Sequence, residues 1–258
     1  MSRVLAIALN GMREHLRDKL LYNLLVFALL LIGSSILLVR LTLGEFERLM
    51  LDLGLASINL FGVLIAIFIG IGLVSREIER KTIYTIVSKP IPRYQFLLGK
   101  YLGLVVTLLL NTVIMTVGFL LALSVWSVPV TPLLFAAVGL IMVELMVMTA
   151  VALFFSTFTT PTLSAIFSLA MYAIGHLTAD LKLLSEKPDV KISAMARAIA
   201  NGLYYVLPDL ERFNLKGQVI HQQAIGADVF ALTIAYGLAW TVLLLILAAT
   251  IFQRRDFQ

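Results

Sequence analysis

Six long apolar stretches restrict the fold of this sequence more than any other feature. The hydrocarbon core of a bilayer is about 30 Å thick, a distance that about 20 apolar residues cross as an α-helix. Because lipid offers no hydrogen bonds to the backbone, a helix is the simplest structure that can span it. The stretches predict an all-α membrane protein with six transmembrane helices, at Leu20–Val39, Leu55–Val74, Leu102–Val125, Leu133–Phe155, Pro161–Ala179 and Val229–Phe252.

The composition supports this fold class. Hydrophobic residues make up 60% of the 258 positions and charged residues only 14%, whereas a soluble domain carries about 25% charged residues. We therefore interpret residues 1–258 as a single transmembrane domain in contact with lipid. The net charge of +5 is typical of the basic cytoplasmic loops of membrane proteins, so no nucleic-acid partner is expected.

The distribution of Lys and Arg predicts the orientation. With the N-terminus inside, residues 1–19, 75–100 and 253–258 hold 12 basic residues in 51 positions. The outer pieces, 40–54, 126–132 and 180–228, hold 8 in 71 positions. Because cytoplasmic loops collect Lys and Arg, both termini are predicted to be cytoplasmic.

Two segments outside the apolar stretches have helical character. In residues 1–19, apolar side chains fall within one arc of a helix and polar ones on the other side, which predicts an N-terminal elbow helix lying in the membrane interface. Its apolar arc contains Val4, Leu5, Ala8, Leu9, Met12 and Leu16. Residues 180–228 are too long and too apolar for a plain connector, so they predict a helical extracytoplasmic segment and a candidate surface for a partner there.

Residues 75–100, between the second and third spans, carry the most information. Charges crowd the start of the segment, and Ile83 and Ile86 then supply an apolar side. Pro90 and Pro92 end the helix, because proline lacks an N–H donor and disfavours helix in the preceding residue. The pattern predicts a short amphipathic cytoplasmic helix, a rigid kink, and a restart into the third span at Arg93. An ordinary basic loop is the alternative.

Polar groups inside the spans were considered as functional sites. Glu144 is the only ionisable side chain deep within any of the six spans, and a charge there is costly, so it should face the bundle interior or be protonated. It is interpreted either as a substrate-path or proton-coupled group, or as a protonated structural group bonded to Asn59, Asn111 or backbone. A lone His176, near the outer end of the fifth span, is interpreted as a hydrogen-bonded interface residue.

The second span also carries small residues at four-residue spacing. Gly62, Ala66 and Gly70 form a stripe that allows another helix to approach closely. No catalytic motif accompanies these features: the sequence has no phosphate-binding Gly-rich loop, no H-E-x-x-H and no G-x-S-x-G. Cysteine is absent, which excludes disulfides and thiolate metal sites. We expect no enzymatic activity, bound metal or directly bound cofactor.

Residues 75–100 resemble the membrane subunit of ABC-type exporters of the type-2 permease superfamily. The matching positions are Glu77, Glu79, Thr82, Ile83, Ser88, Lys89, Pro90, Arg93, Gly99 and Lys100, with a departure at Lys81, where many relatives have Gly. Further along, the resemblance covers Phe155-Ser156-Thr157, Gly175-His176, Leu207-Pro208-Asp209-Leu210, Phe213-Asn214-Leu215 and Arg254-Arg255-Asp256.

The resemblance implies a permease in a prokaryotic cytoplasmic (inner) membrane. It implies that the permease pairs with a second permease subunit, as a homodimer or pseudo-dimer, and is driven by separate cytosolic ATP-binding-cassette ATPases that bind the ATP and Mg. It implies that segment 75–89 is the helix that couples to the ATPase, with Glu77, Glu79, Arg80, Thr82, Ile83, Ile86, Pro90 and Arg93 as coupling residues. Two alternatives stay open: a membrane anchor or sensory subunit of a complex, and a membrane-embedded lipid-modifying enzyme. The substrate is not indicated.

Overall fold

The computed structural model describes residues 3–38, 46–79, 92–186, 202, 206–223 and 226–254. All regular secondary structure in these ranges is helical, which confirms the predicted all-α class for them. The helices are α1 Arg3–His15, α2 Lys19–Leu38, α3 Phe46–Glu79, α4 Arg93–Val125, α5 Pro132–Ser156, α6 Pro161–Glu186, α7 Lys216–Ile220 and α8 Ala227–Arg254, with a 3-10 turn at Glu211–Phe213.

Four of these helices are long and apolar enough to cross a membrane, namely α3, α4, α5 and α8. In the described part of the chain, α2 and α6 carry shorter apolar stretches, Lys19–Ser35 and Pro161–Leu177. The chain is therefore a multi-pass membrane protein with at least these four spans. That α2 and α6 also cross stays a prediction.

Several helices extend beyond the predicted apolar spans. Helix α3 begins at Phe46, nine residues before the predicted span at Leu55, so it includes part of the outer piece 40–54. Its first turns stay helical because Met50 is fully buried while Glu47 points outward, so the helix has one packed side and one polar side. A hydropathy pattern detects only the apolar middle of such a helix.

Two further helices extend beyond their predicted spans. Helix α4 begins at Arg93, the predicted restart, nine residues before the apolar span itself, and α6 continues to Glu186. The N-terminal helix, predicted over 1–19, ends at His15. The chain turns there because Asp18 accepts a hydrogen bond from the backbone N–H of Leu20 at 3.0 Å and so caps the start of α2.

Helices α3 and α5 form the centre of the bundle. In the apolar window of α3, 72% of residues are buried, against 28% in α8, so α8 lies at the periphery. The stripe of small residues on α3 faces α5: a Cβ added to Gly62 would lie 2.8 Å from Leu145, and one added to Gly70 would lie 3.0 Å from the Cβ of Ala152. Only small residues on α3 allow this separation of the two helices.

Candidate functional site

A cluster of four polar side chains lies between three helices of the bundle. Asn59 comes from α3, Glu144 from α5, and Tyr172 and His176 from α6. Tyr172 and His176 are four residues apart, so they share one face of α6. Glu144 is completely buried and Asn59 is 3% exposed.

Hydrogen bonds connect the cluster across the helices. The Tyr172 hydroxyl donates to Asn59 Oδ1 at 2.8 Å, and Asn59 Nδ2 donates to Glu144 Oε2 at 2.6 Å. The other carboxyl oxygen, Oε1, lies 3.5 Å from His176 Nε2. The Nδ1 atom of His176 lies 3.3 Å from the carbonyl oxygen of Tyr172 one turn earlier. The four residues thus form a closed ring of polar contacts.

His176 was predicted to be a hydrogen-bonded interface residue, and its Nδ1 does lie within hydrogen-bond distance of the carbonyl oxygen of Tyr172; its position beside Glu144 was not predicted. The sequence offered Asn59, Asn111 and backbone as partners of Glu144, and it did not place His176 beside the carboxyl group. A signal was available in the sequence, because Tyr172 and His176 dilute the apolar character of their helix on a single face. That face must pack against polar groups or meet water.

Asn111, the other predicted polar candidate, lies away from the ring. It is buried on α4, and its Nδ2 donates to the carbonyl oxygen of Thr107 at 2.9 Å within the same helix. Of the side chains considered as partners of Glu144, the structure brings only Asn59 to it in the described part of the chain.

Residues 206–223, the return segment, fold back onto the bundle beside this cluster. Leu210 and Phe213 are fully buried, and the Leu210 N–H donates to the carbonyl oxygen of Gly175 at 3.0 Å. A Cβ added to Gly175 would lie 2.8 Å from Leu210, so glycine here permits the close contact. Gly175 precedes His176, which places the return segment next to the ring. Within the helical segment predicted at 180–228, residues 187–201, 203–205 and 224–225 lie outside the described residues.

A pocket of about 340 Å³ opens between the return segment, α5 and α8. Its polar wall includes Glu211, Asn214 and Gln218, and its apolar wall includes Leu140. Leu140 is one helical turn from Glu144 on α5. The pocket therefore approaches the polar ring from the end of the bundle that carries the return segment.

Of the predicted coupling residues, the structure describes only Glu77, Glu79 and Arg93, which lie at the opposite end of the bundle. The backbone of Glu77 and Glu79 belongs to the last turns of α3. Arg93 opens α4, and its Nη1 lies 3.2 Å from the carbonyl oxygens of Phe252 and Gln253, at the end of α8. Outside the described residues are Arg80, Thr82, Ile83, Ile86 and Pro90.

The start of α4 also packs against α1. A Cβ added to Gly99 would lie 2.7 Å from Ile7, and one added to Gly103 would lie 2.7 Å from the carbonyl oxygen of Ala8. Lys100 Nζ forms an ion pair with Glu14 Oε2 at 2.9 Å. The first turns of α4 therefore contact both α1 and the end of α8.

The predicted apolar arc of the N-terminal helix is only partly buried in the structure. Ala8 is buried against α4, whereas Leu5 and Leu9 are 48% and 37% exposed. The helix thus has one side packed on protein and an apolar side that remains uncovered by the described part of the chain.

The polar ring can hold hydrogen bonds and protons, and its residues define no metal centre. No group of three or more His, Asp or Glu side chains suited to a metal ion occurs within the described ranges.

A comparison with protein families identifies the chain. A family model described as ABC-2 family transporter protein matches residues 5–257, so the chain belongs to this family, whose members work with an ATP-binding-cassette component. The resemblance inferred from residues 75–100 is thereby confirmed at the level of the family. A search of curated protein sequences finds no significant match.

Proposed function

We propose that this chain is the permease subunit of an ATP-driven exporter, which forms the translocation path and couples to a separate cytosolic ATPase. The observation that carries the proposal is the family match over residues 5–257, joined to a bundle with at least four membrane-crossing helices. The partner ATPase binds and hydrolyses ATP with Mg, and the permease binds neither directly. The ring around Glu144 and the pocket lined by Leu140 are candidate parts of the path.

The proposal includes a topology and an assembly. Six helices cross the prokaryotic inner membrane with both termini in the cytoplasm, which the twofold higher density of Lys and Arg in the inner pieces supports. Two copies assemble as a dimer with two ATPases. The segment 180–228 faces outward, where it offers a surface to an extracytoplasmic partner.

Residues 75–89 bind the ATPase in this proposal. Contacts at the start of α4 support a role for the segment in coupling, because Arg93 contacts the end of α8 and Lys100 contacts α1. A displacement of the segment would thus act on α4 and, through these contacts, on α1 and α8. The prolines at 90 and 92 make the connection stiff, whereas a flexible loop would absorb the displacement.

Two sets of variants test the proposal in lipid nanodiscs with the candidate ATPase. Replacing Ile83 and Ile86 with Ser should weaken ATPase binding by about 2–4 kcal/mol, given about 1.5–3 kcal/mol for each fully buried aliphatic side chain and partial burial here. Replacing Pro90 and Pro92 with Gly should leave the complex assembled but separate ATP turnover from transport. Copurification and ATP hydrolysis rates measure the two effects.

The control is Val206→Ser, which changes an exposed apolar residue in the return segment and should leave ATPase binding unchanged. If the Ile83 and Ile86 double variant binds the ATPase and couples like the wild type, residues 75–89 are only a topology signal. The proposed coupling role would then be wrong.

A further inference from the structure

The tautomer of His176 follows from its contact within α6. Its Nδ1 lies 3.3 Å from the carbonyl oxygen of Tyr172, and a carbonyl oxygen can only accept a hydrogen bond. Nδ1 therefore carries a hydrogen. In a neutral imidazole the second nitrogen, Nε2, then has a lone pair and no hydrogen. This lone pair faces Glu144.

The carboxyl group of Glu144 presents an acceptor in return. Its Oε2 atom accepts the hydrogen bond from Asn59. Its Oε1 atom is buried and has no hydrogen-bond partner among the described residues, and it lies 3.5 Å from His176 Nε2. An ionised Glu144 beside a neutral His176 would therefore set two acceptors against each other, with one uncompensated negative charge inside the bundle. Both conditions are costly in an apolar interior.

One added proton removes both problems. If the proton is on Oε1, the carboxylic acid donates to Nε2. If it is on Nε2, the imidazolium donates to the carboxylate. The pair is electrically neutral in both forms, and every polar atom of the ring then has a partner of the opposite kind. A separation of 3.5 Å is slightly longer than a well-formed hydrogen bond, which a small rotation of either side chain would correct.

The surrounding groups offer no replacement for that proton. The charged residues of the return segment that act on the pair are of both signs, Lys216 on one side and Glu211 and Asp209 on the other. From α4, the Tyr101 hydroxyl donates to the carbonyl oxygen of Met146. From α8, the Tyr236 hydroxyl accepts the N–H of Asp209.

We propose that Glu144 and His176 together bind one proton, held between carboxyl Oε1 and imidazole Nε2, and that this proton joins α6 to α5. Near the turn that connects α5 to α6, the two helices also make an aromatic contact, in which the ring centroids of Phe155 and Phe167 are 5.4 Å apart. Loss of the proton loosens the half of α6 that carries His176, while the aromatic contact remains. This site is independent of the ATPase partner proposed above.

The first test is the unfolding equilibrium of the full chain in detergent micelles as a function of pH. Above about pH 7 an unfolded chain has neutral histidine and ionised glutamate, so it holds no proton at these two groups, whereas the folded pair holds one. Because the folded state binds more protons, the folded-to-unfolded ratio should fall by up to tenfold for each pH unit above 7 until the pair itself loses the proton.

Glu144→Gln supplies the matched comparison. Glutamine has the shape of the protonated acid, accepts from Asn59 through its oxygen and donates to Nε2 through its amide, so this variant should lack the additional fall. His221→Gln, which alters an exposed histidine, should keep the wild-type profile. Parallel profiles for the wild type and Glu144→Gln above pH 7 would overturn the proposal.

Spectroscopy of the wild type tests whether the Glu144–His176 pair holds one proton, even if Glu144→Gln does not fold. Nitrogen NMR of histidine-labelled protein in vesicles reports which ring nitrogens carry hydrogen, with His176 assigned by elimination from His15→Gln and His221→Gln. Infrared absorption reports whether a buried carboxyl is protonated. The proposal requires Nδ1–H at His176 and one further proton at pH 7.5, on the ring or as a buried carboxylic acid. A His176 ring with hydrogen on Nε2 alone, or a neutral ring with no buried carboxylic acid, would contradict it.

Discussion

Helix α5 contacts α3 and α6 in two unlike ways. Toward α3 the contact is one of shape, in which Gly62, Ala66 and Gly70 let the backbones approach closely. Toward α6 the contact includes a polar link, from Glu144 to His176. A contact of shape depends only on volume and is the same at every pH. A polar contact in a bundle interior depends on the presence of each hydrogen. The packing of α5 against α3 should therefore be independent of pH, whereas its polar contact with α6 should depend on protonation.

The largest loss of stability is expected when a larger side chain is placed in the close contact between α3 and α5. In Gly70→Leu, the new side chain meets the Cβ of Ala152, which is fixed to the backbone and cannot move by changing rotamer. Overpacking of this kind costs about 3 kcal/mol, so a detergent unfolding titration should show the variant less stable than the wild type by about that amount, and this difference should be the same at pH 6 and pH 9.

An exchange of methyl groups provides the control for that variant. Gly70→Ala should be destabilised, and adding Ala152→Gly should restore most of the stability because the clashing Cβ is removed from the other helix. If the double variant is no more stable than Gly70→Ala alone, the contact between α3 and α5 is not limited by shape at this point.

A smaller effect is expected in the polar contact. Asn59→Leu removes the donor to Glu144 Oε2 and the acceptor of the Tyr172 hydroxyl. A buried polar group without its partner costs about 1–3 kcal/mol. The same unfolding titration should show a loss in that range, and the loss should increase with pH because the carboxylate has lost its remaining donor.

The smallest effect is expected for Asn111→Leu, the matched asparagine. This side chain donates only to Thr107 in its own helix among the described residues, so its replacement leaves no group on another helix without a partner. A loss as large as that of Asn59→Leu would show that burial of an amide, and not the connection across helices, determines the stability.

The sequence predicted the contact of shape better than the polar one, for a physical reason. Gly62, Ala66 and Gly70 lie on one helix at fixed spacing, so their common face is known once the helix is predicted. The ring around Glu144 requires three helices in a particular rotation. Hydropathy indicates that a segment is a helix and leaves its rotation open, so Asn59 and Asn111 were equivalent candidates.

The ends of the helices were harder to predict than their middles. The apolar middle of α3 was located correctly, but its start at Phe46 depends on Met50 packing in the core, which no window average detects. The family resemblance rested on residues 75–100, a local sequence pattern, and it was confirmed. Their role in binding an ATPase stays a prediction, because most of that segment lies outside the described residues.

The most direct test of the central claim, that shape holds α3 to α5 and a proton holds α6 to α5, is a pair of spin-label distances. The chain has no cysteine, so labels can be placed at exposed positions: Phe135 on α5 with Ala173 on α6, and Phe135 with Phe68 on α3. Between pH 6 and pH 9, the account predicts that the α5–α6 distance distribution broadens or lengthens in the wild type and stays constant in Glu144→Gln. The α3–α5 distance should stay constant in both proteins. An α5–α6 distance that ignores pH in the wild type, or that changes equally in Glu144→Gln, would contradict the account.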